Sequence, residues 1–115
     1  MSEELIWALT DLKNLQHDDK GFYRGYREGY IKFNNGLYIQ WGIHKASDIS
    51  KGDNYSRCVF KKMFSRSPTV FCSLANYEDG TEIGVLHEEQ MYFTLKINSL
   101  KNRAEFNIWW IAFGI

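Results

Sequence analysis

From Tyr30 onward, apolar and polar residues alternate with a period of two, the spacing of β-strands. Met91, Phe93, Leu95 and Ile97 alternate with Tyr92, Thr94 and Lys96, which predicts a strand with one buried face and one wet face. Runs rich in β-branched and aromatic residues place strands near 30–33, 37–43, 56–60, 69–75, 83–86, 91–97 and 105–113. Turn residues such as Lys51-Gly52-Asp53-Asn54 and Glu78-Asp79-Gly80 bound them. Short strands at this frequency predict a sandwich or barrel.

The clearest local signal is Gly29 to Gly42, two strand-like runs joined by Asn34-Asn35-Gly36. Gly36 can take a positive φ at little steric cost and Asn35 tolerates the left-handed region, so a hairpin is specified locally. Leu37, Ile39 and Trp41 then alternate with Tyr38, Gln40 and Gly42, which predicts that the first set is buried and that Gln40 sits on an outer or intersubunit face. The last strand differs: Phe106, Ile108, Trp110 and Ala112 lie on one side, and Trp109, Ile111 and Phe113 on the other. A sandwich strand has one inward face, so the second apolar face calls for a cover, either an identical subunit or the N-terminal segment of the same chain. Trp109, Ile111, Phe113 and Gln40 are therefore the expected oligomer-interface residues.

Ser2 to Gln16 predicts a short helix: acidic residues open it, and Leu5, Leu9 and Leu12 follow at spacings of four and three. A helix of that length is marginal alone and needs a partner or a surface. It can pack on its own domain, end an oligomeric stalk or remain disordered. His17 to Glu28 is polar and rich in Asp, Lys, Arg and Tyr and reads as a linker. The expected organisation is thus 1–28 as helix and linker and 29–115 as a β-domain.

The 115 residues suffice for one domain with a real core, and 14 basic against 14 acidic residues leave no global field toward nucleic acid or an anionic membrane. The cluster Arg57, Lys61, Lys62, Arg66 reads as a solvated strand end, with a polyanion contact as the alternative. The apolar run Ile108 to Phe113 is far short of the roughly 20 residues that cross a bilayer, so no membrane insertion is expected. Glu3 and Glu4 stand where a signal peptide would carry lysines, so export by that route is not expected. Cys58 and Cys72 have apolar neighbours two residues away, which points both into the core. Reduced thiols are favoured over a disulfide, and two cysteines alone do not make a zinc site.

The segment Gly29-Tyr30 through Gly36-Leu37-Tyr38-Ile39-Gln40-Trp41-Gly42 resembles the opening of the C-terminal head domain of bacteriophage tail fibres. Val59-Phe60 with Phe64, then Pro68-Thr69-Val70, and the terminal Trp110-Ile111-Ala112-Phe113-Gly114 fall in the order that the family shows. The resemblance implies an all-β fold, a small antiparallel β-sandwich of about six to seven strands, assembled as a homotrimer at the fibre tip and touching the bacterial surface. It implies location in a virion tail after assembly in the bacterial cytoplasm. The layout, with its Ile108-x-Trp110-Ile111 ending, also looks like H-type lectins, trimeric sandwiches that bind sugars. The chain departs from the phage pattern at Asn34, Lys61 and Ser65, where prolines are common, and in the loop expected from Lys45 to Tyr55, which is charged where many relatives are Ser/Thr-rich. It opens at Met1 without a shaft, as an expressed fragment or a short standalone product would.

No catalytic constellation emerges. His17, His44 and His87 lack metal-ligand spacing, His87-Glu88-Glu89 reads as a solvated turn, and no phosphate loop or nucleophile elbow is present. Adjacent Glu78 and Asp79 do not provide the separated carboxyls of glycoside hydrolysis. A non-enzyme without metal or cofactor is therefore expected. What remains is recognition of a host-cell glycan or protein. Sugars are held by aromatic faces and by Asp, Asn, Glu or Arg on loops, a set that Asn76, Tyr77, Glu78 and Asp79 supply, as do Asp53, Asn54 and Tyr55. Either composition also suits an ordinary polar turn. The aromatic stripe Phe22, Tyr23, Tyr26, Tyr30 is expected to pack over the sandwich end or a subunit interface.

Overall fold

The computed structural model describes residues 17–25, 27–75 and 80–115. The helix expected over Ser2–Gln16 and the loop residues Asn76, Tyr77, Glu78 and Asp79 lie outside the described residues. The described chain folds as β1 (His17–Gly25), β2 (Glu28–Phe33), β3 (Tyr38–Ile49), β4 (Gly52–Val59), β5 (Thr69–Leu74), β6 (Glu82–Glu88), β7 (Tyr92–Ser99) and β8 (Arg103–Gly114). These strands form two antiparallel sheets, a five-stranded one in the order β1-β2-β3-β8-β5 and a three-stranded one in the order β4-β7-β6.

The β2–β3 turn forms as its residues dictate. Gly36 has φ 95°, the Phe33 N–H donates to the Leu37 carbonyl at 2.8 Å, and the Asn35 side chain accepts from the Leu37 N–H at 3.1 Å. Beyond it, the assignment of faces reverses. Tyr38, Gln40 and Gly42 point between the sheets and are buried, while Ile39 and Trp41 are half-buried on the outer face. The inward phase is selected by the partner strand, because Gly42 lies opposite Trp110 and leaves room for its indole. Leu37 is buried apart from the main core, among Phe33, Ile39, Phe113 and Ile115.

Two further expectations are corrected. His17–Gly25 is an edge strand paired with β2, not a linker; its charged composition hides it because edge strands carry charges freely. Lys45 to Tyr55 is not a loop but the ends of β3 and β4, joined at Ser50 and Lys51, with Gly52 at φ 103°.

Between the sheets, Phe93, Leu95 and Ile97 of β7 and Ile108 and Ala112 of β8 are fully buried. Phe60 contacts the rings of Phe64, Phe93 and Trp110 at centroid distances of 5.0, 5.6 and 5.6 Å. Cys58 is buried, Cys72 half-buried, and both are free thiols. Tyr23, Tyr30 and Tyr38 continue the aromatic row across β1, β2 and β3, 5.7 and 5.9 Å apart. Among the described residues, no helix is long and apolar enough to cross a membrane.

Candidate functional site

The outer face of the three-stranded sheet carries a groove lined largely by polar residues. Asn54, Ser56 and Cys58 of β4 turn inward, so Asp53, Tyr55 and Arg57 turn out. On β7 the inward set Phe93, Leu95, Ile97 leaves Lys96 and Asn98 outward, and on β6 Ile83 and Val85 leave Glu82 and Gly84 outward. Pairing then sets out two cross-strand rows, Asp53–Asn98–Glu82 and Tyr55–Lys96–Gly84. Gly84 carries no side chain, and a Cβ there would meet nothing within 4 Å. The result is a groove of about 350 Å³ lined by Asp53, Glu82, Gly84, Leu86, Lys96 and Asn98, with Tyr55 beside it and 61% exposed.

The charged groups hold one another in place. Asn98 Nδ2 donates to Asp53 Oδ1 at 2.8 Å, and Lys96 Nζ lies 3.7 Å from Asp53 Oδ2. Both members of that ion pair are about half exposed, so it adds little stability and leaves oxygens and N–H groups for a ligand. Arg57 stacks on Tyr92 at 4.0 Å. The site is thus rich in both acceptors and donors, with an aromatic face at its side.

Of the residues expected to bind ligand, Asp53 and Tyr55 meet here. Asn54 does not: its side chain accepts from the Ser50 N–H at 3.0 Å and donates to the carbonyls of Ser50 and Gly52 at 2.8 and 3.0 Å, closing its own turn. The chain is described again from Gly80, two residues before Glu82. Glu82, Gly84, Lys96 and Asn98 escaped the sequence reading. The wet face of β7 was the available signal, but only the order β4-β7-β6 brings it against Asp53 and Glu82.

On the opposite side of the molecule, the outer face of the five-stranded sheet is apolar. Trp41, Ile111 and Phe71 share one cross-strand row, Ile39 and Phe113 the next, and Ile43 and Trp109 another. Phe71 is 55% and Trp109 39% exposed. Gln40 is not part of this face. It is 1% exposed and held inside the sandwich. The basic cluster is engaged locally, with Lys61 paired to Glu28 at 3.2 Å and Lys62 over the ring of Tyr30. His87 and Glu88 belong to β6 rather than a free turn, and Glu88 Oε2 accepts the Val70 N–H of edge strand β5 at 3.0 Å. Among the described residues, no group of three or more His, Cys, Asp or Glu is placed to hold a metal ion.

No protein-family model matches the chain, and no curated protein matches it. Solved structures do. An N-truncated R1-type pyocin tail fibre superposes with a TM-score of 0.71 at 15% identity, over 96% of this chain and 95% of that one. The chain has the fold of a pyocin tail-fibre C-terminal region. The P. aeruginosa R1 pyocin fibre, C-terminal residues 323–701, gives a TM-score of 0.66 at 16% identity over 80% of this chain and 27% of that one. The corresponding R2 fibre gives 0.65 at 18% identity over 82% and 25%. This tail-fibre fold therefore spans about a quarter of those two longer fibre structures and nearly all of the truncated one.

Proposed function

We propose that this chain is the distal domain of a phage or phage-tail-like fibre, a non-enzymatic attachment module that binds a surface saccharide of a host bacterium. The observation that carries the reading is the groove on the three-stranded sheet, where Asp53, Glu82, Lys96 and Asn98 surround the open position at Gly84. Sugar hydroxyls both donate and accept, so a carboxylate, an amide and an ammonium within one groove suit them, and Tyr55 can cover a C–H face. The tail-fibre fold supports placing this groove at the end of a fibre in a virion-like tail. The apolar outer face of the five-stranded sheet supports assembly as a homotrimer through Trp109, Ile111 and Phe113. Three weak sites on one fibre would then act with a raised effective concentration.

A glycan array and adsorption to a panel of bacteria, run with wild-type protein, Lys96→Ala and Gly84→Leu, test this. Hits lost in both variants support the groove, and hits retained in both overturn it. No hits and no adsorption would make the domain a structural cap. Binding to simple monosaccharides alone would make it a free lectin. Turnover of a polysaccharide would overturn the non-enzymatic reading.

A further inference from the structure

The three-stranded sheet is narrower than the five-stranded one, and on the β2 side the inner face of the larger sheet is left without an opposing strand. An interior there would ordinarily be filled by branched apolar side chains. Instead the chain places Gly42, His44 and Cys58 around a cleft of about 190 Å³, with Glu28 and Lys61 joined across its mouth at 3.2 Å. At its floor the indole of Trp110 lies against Gly42, so closely that a Cβ on Gly42 would fall 3.1 Å from Nε1. Trp110 is 9% exposed and lines the cleft, and since no buried side-chain nitrogen or oxygen lacks a partner among the described residues, its indole N–H, with no protein acceptor there, is one that solvent reaches. On a nine-tenths buried side chain that lines a cleft, an indole N–H without a protein acceptor is a donor left for whatever enters that cleft, water or ligand.

We propose that this cleft is a second ligand site, separate from the groove on the outer sheet face, and that it takes one neutral hydroxylated ring, a single sugar unit or a polyol of that size. The fit has three parts. At ~30 Å³ per water, the cleft holds roughly six waters, the space of one sugar ring. Its charges cancel: Glu28 and Lys61 neutralise each other, and burial lowers the pKa of His44, which is hydrogen-bonded to Ser56 Oγ at 2.6 Å and stays neutral near pH 7. Burial likewise keeps the Cys58 thiol protonated, with its pKa pushed up to about 12. Its polar groups are mixed, with Trp110 and Lys61 as donors and Glu28 as acceptor, and a hydroxyl satisfies either kind. A charged ligand would instead have to break the Glu28–Lys61 pair.

The test is the indole region of a ¹⁵N spectrum of the full chain, which has four tryptophans, with the Trp110 resonance assigned from Trp110→Phe. The protein is titrated with the methyl glycosides of glucose, galactose and mannose, and with glycerol. The expected result is a saturable shift of the Trp110 indole N–H with at least one of these. In Glu28→Gln and in Lys61→Ala the affinity should fall by about tenfold or more, as for loss of a hydrogen bond to a charged group. Both residues lie at the exposed mouth, so neither variant endangers the fold. An unmoved Trp110 indole with every probe overturns the proposal, as does a shift of equal affinity in both variants. Shifts confined to the amides of Lys96 and Asn98 would overturn the cleft while leaving the outer groove intact.

Discussion

Gln40 and Lys62 are joined by a reciprocal pair of hydrogen bonds, from Gln40 Nε2 to the Lys62 carbonyl at 2.6 Å and from the Lys62 N–H to Gln40 Oε1 at 3.2 Å. One buried side chain thereby satisfies both backbone groups of Lys62, in the segment that crosses from β4 to β5 and seats Phe64 in the core. Gln40→Leu keeps the volume but leaves Lys62 unpaired. It should lower stability by about 1–3 kcal/mol, read as a drop in the denaturation midpoint at unchanged m-value. A variant as stable as wild type would make this pair incidental.

Two glycines should respond in opposite ways to alanine. A Cβ at Gly114 would lie 2.5 Å from Cδ1 of Phe64 and 3.1 Å from Cβ of Pro68, in the packed core end, so Gly114→Ala should cost about 1–3 kcal/mol. Gly84 faces open space, and Gly84→Ala should change stability by less than ~0.5 kcal/mol. Thermal melts of the two variants side by side decide whether the Gly84 notch is spare room, as a binding groove requires, or a packing necessity.

These contrasts show what local pattern could and could not reveal. The Asn35-Gly36 turn was legible because the two residues specify it without help. The faces of β3 were not, since Ile39 and Trp41 are as apolar as any core pair, and only the match of Gly42 to Trp110 decides which phase goes inward. Strand β1 was hidden by its charges. Asp53 and Tyr55 could be found from composition, but Lys96, Asn98, Glu82 and Gly84 become a site only through the order of three strands that are distant in sequence. Alternation placed Trp110 on the side of Phe106, Ile108 and Ala112, which proves to be the buried one, whereas the cleft beside it is a property of packing alone.

The outer face of the five-stranded sheet makes assembly measurable. Ile111 stands at its middle, opposite Trp41 on one side and Phe71 on the other. A charge there would be buried by any subunit docking on this face, at a cost of several kcal/mol, yet the single chain leaves the position half open. Under the proposed assembly, the wild type should sediment as a trimer and Ile111→Glu as a folded monomer. A wild-type monomer at micromolar concentration would sink the assembly model.

Alkali should destabilise the fold through two buried groups. The Cys58 thiol is raised from 9.0 to about 12 and the Tyr38 hydroxyl from 10.0 to about 12, both mainly by burial. In each case the folded state holds its proton more tightly than the unfolded chain. The stabilisation is complete below the unfolded values and is lost as pH rises from about 9 toward 12. Melting temperature should fall across that window, and Cys58→Ala should reduce the slope. Iodoacetamide should label Cys58 far more slowly in native than in unfolded protein. Equal rates would mean that the β4 edge opens freely.

Acid acts on the other side through His44. Its folded pKa lies below 6.5 because burial disfavours the imidazolium, and no cation-stabilising partner offsets that: its hydrogen bond goes to the Ser56 hydroxyl. The unfolded chain takes up a proton here at a higher pH than the folded one, so stability is fully present above 6.5 and falls as pH drops toward the folded value. His44→Gln retains a donor and an acceptor without a titrating group. It should flatten melting temperature against pH below about 6.5, where the folded and unfolded imidazoles differ in protonation. The same loss in wild type and variant would assign the acid response to carboxylates instead, and would leave His44 as a neutral wall of the cleft with no part in the pH dependence of the fold.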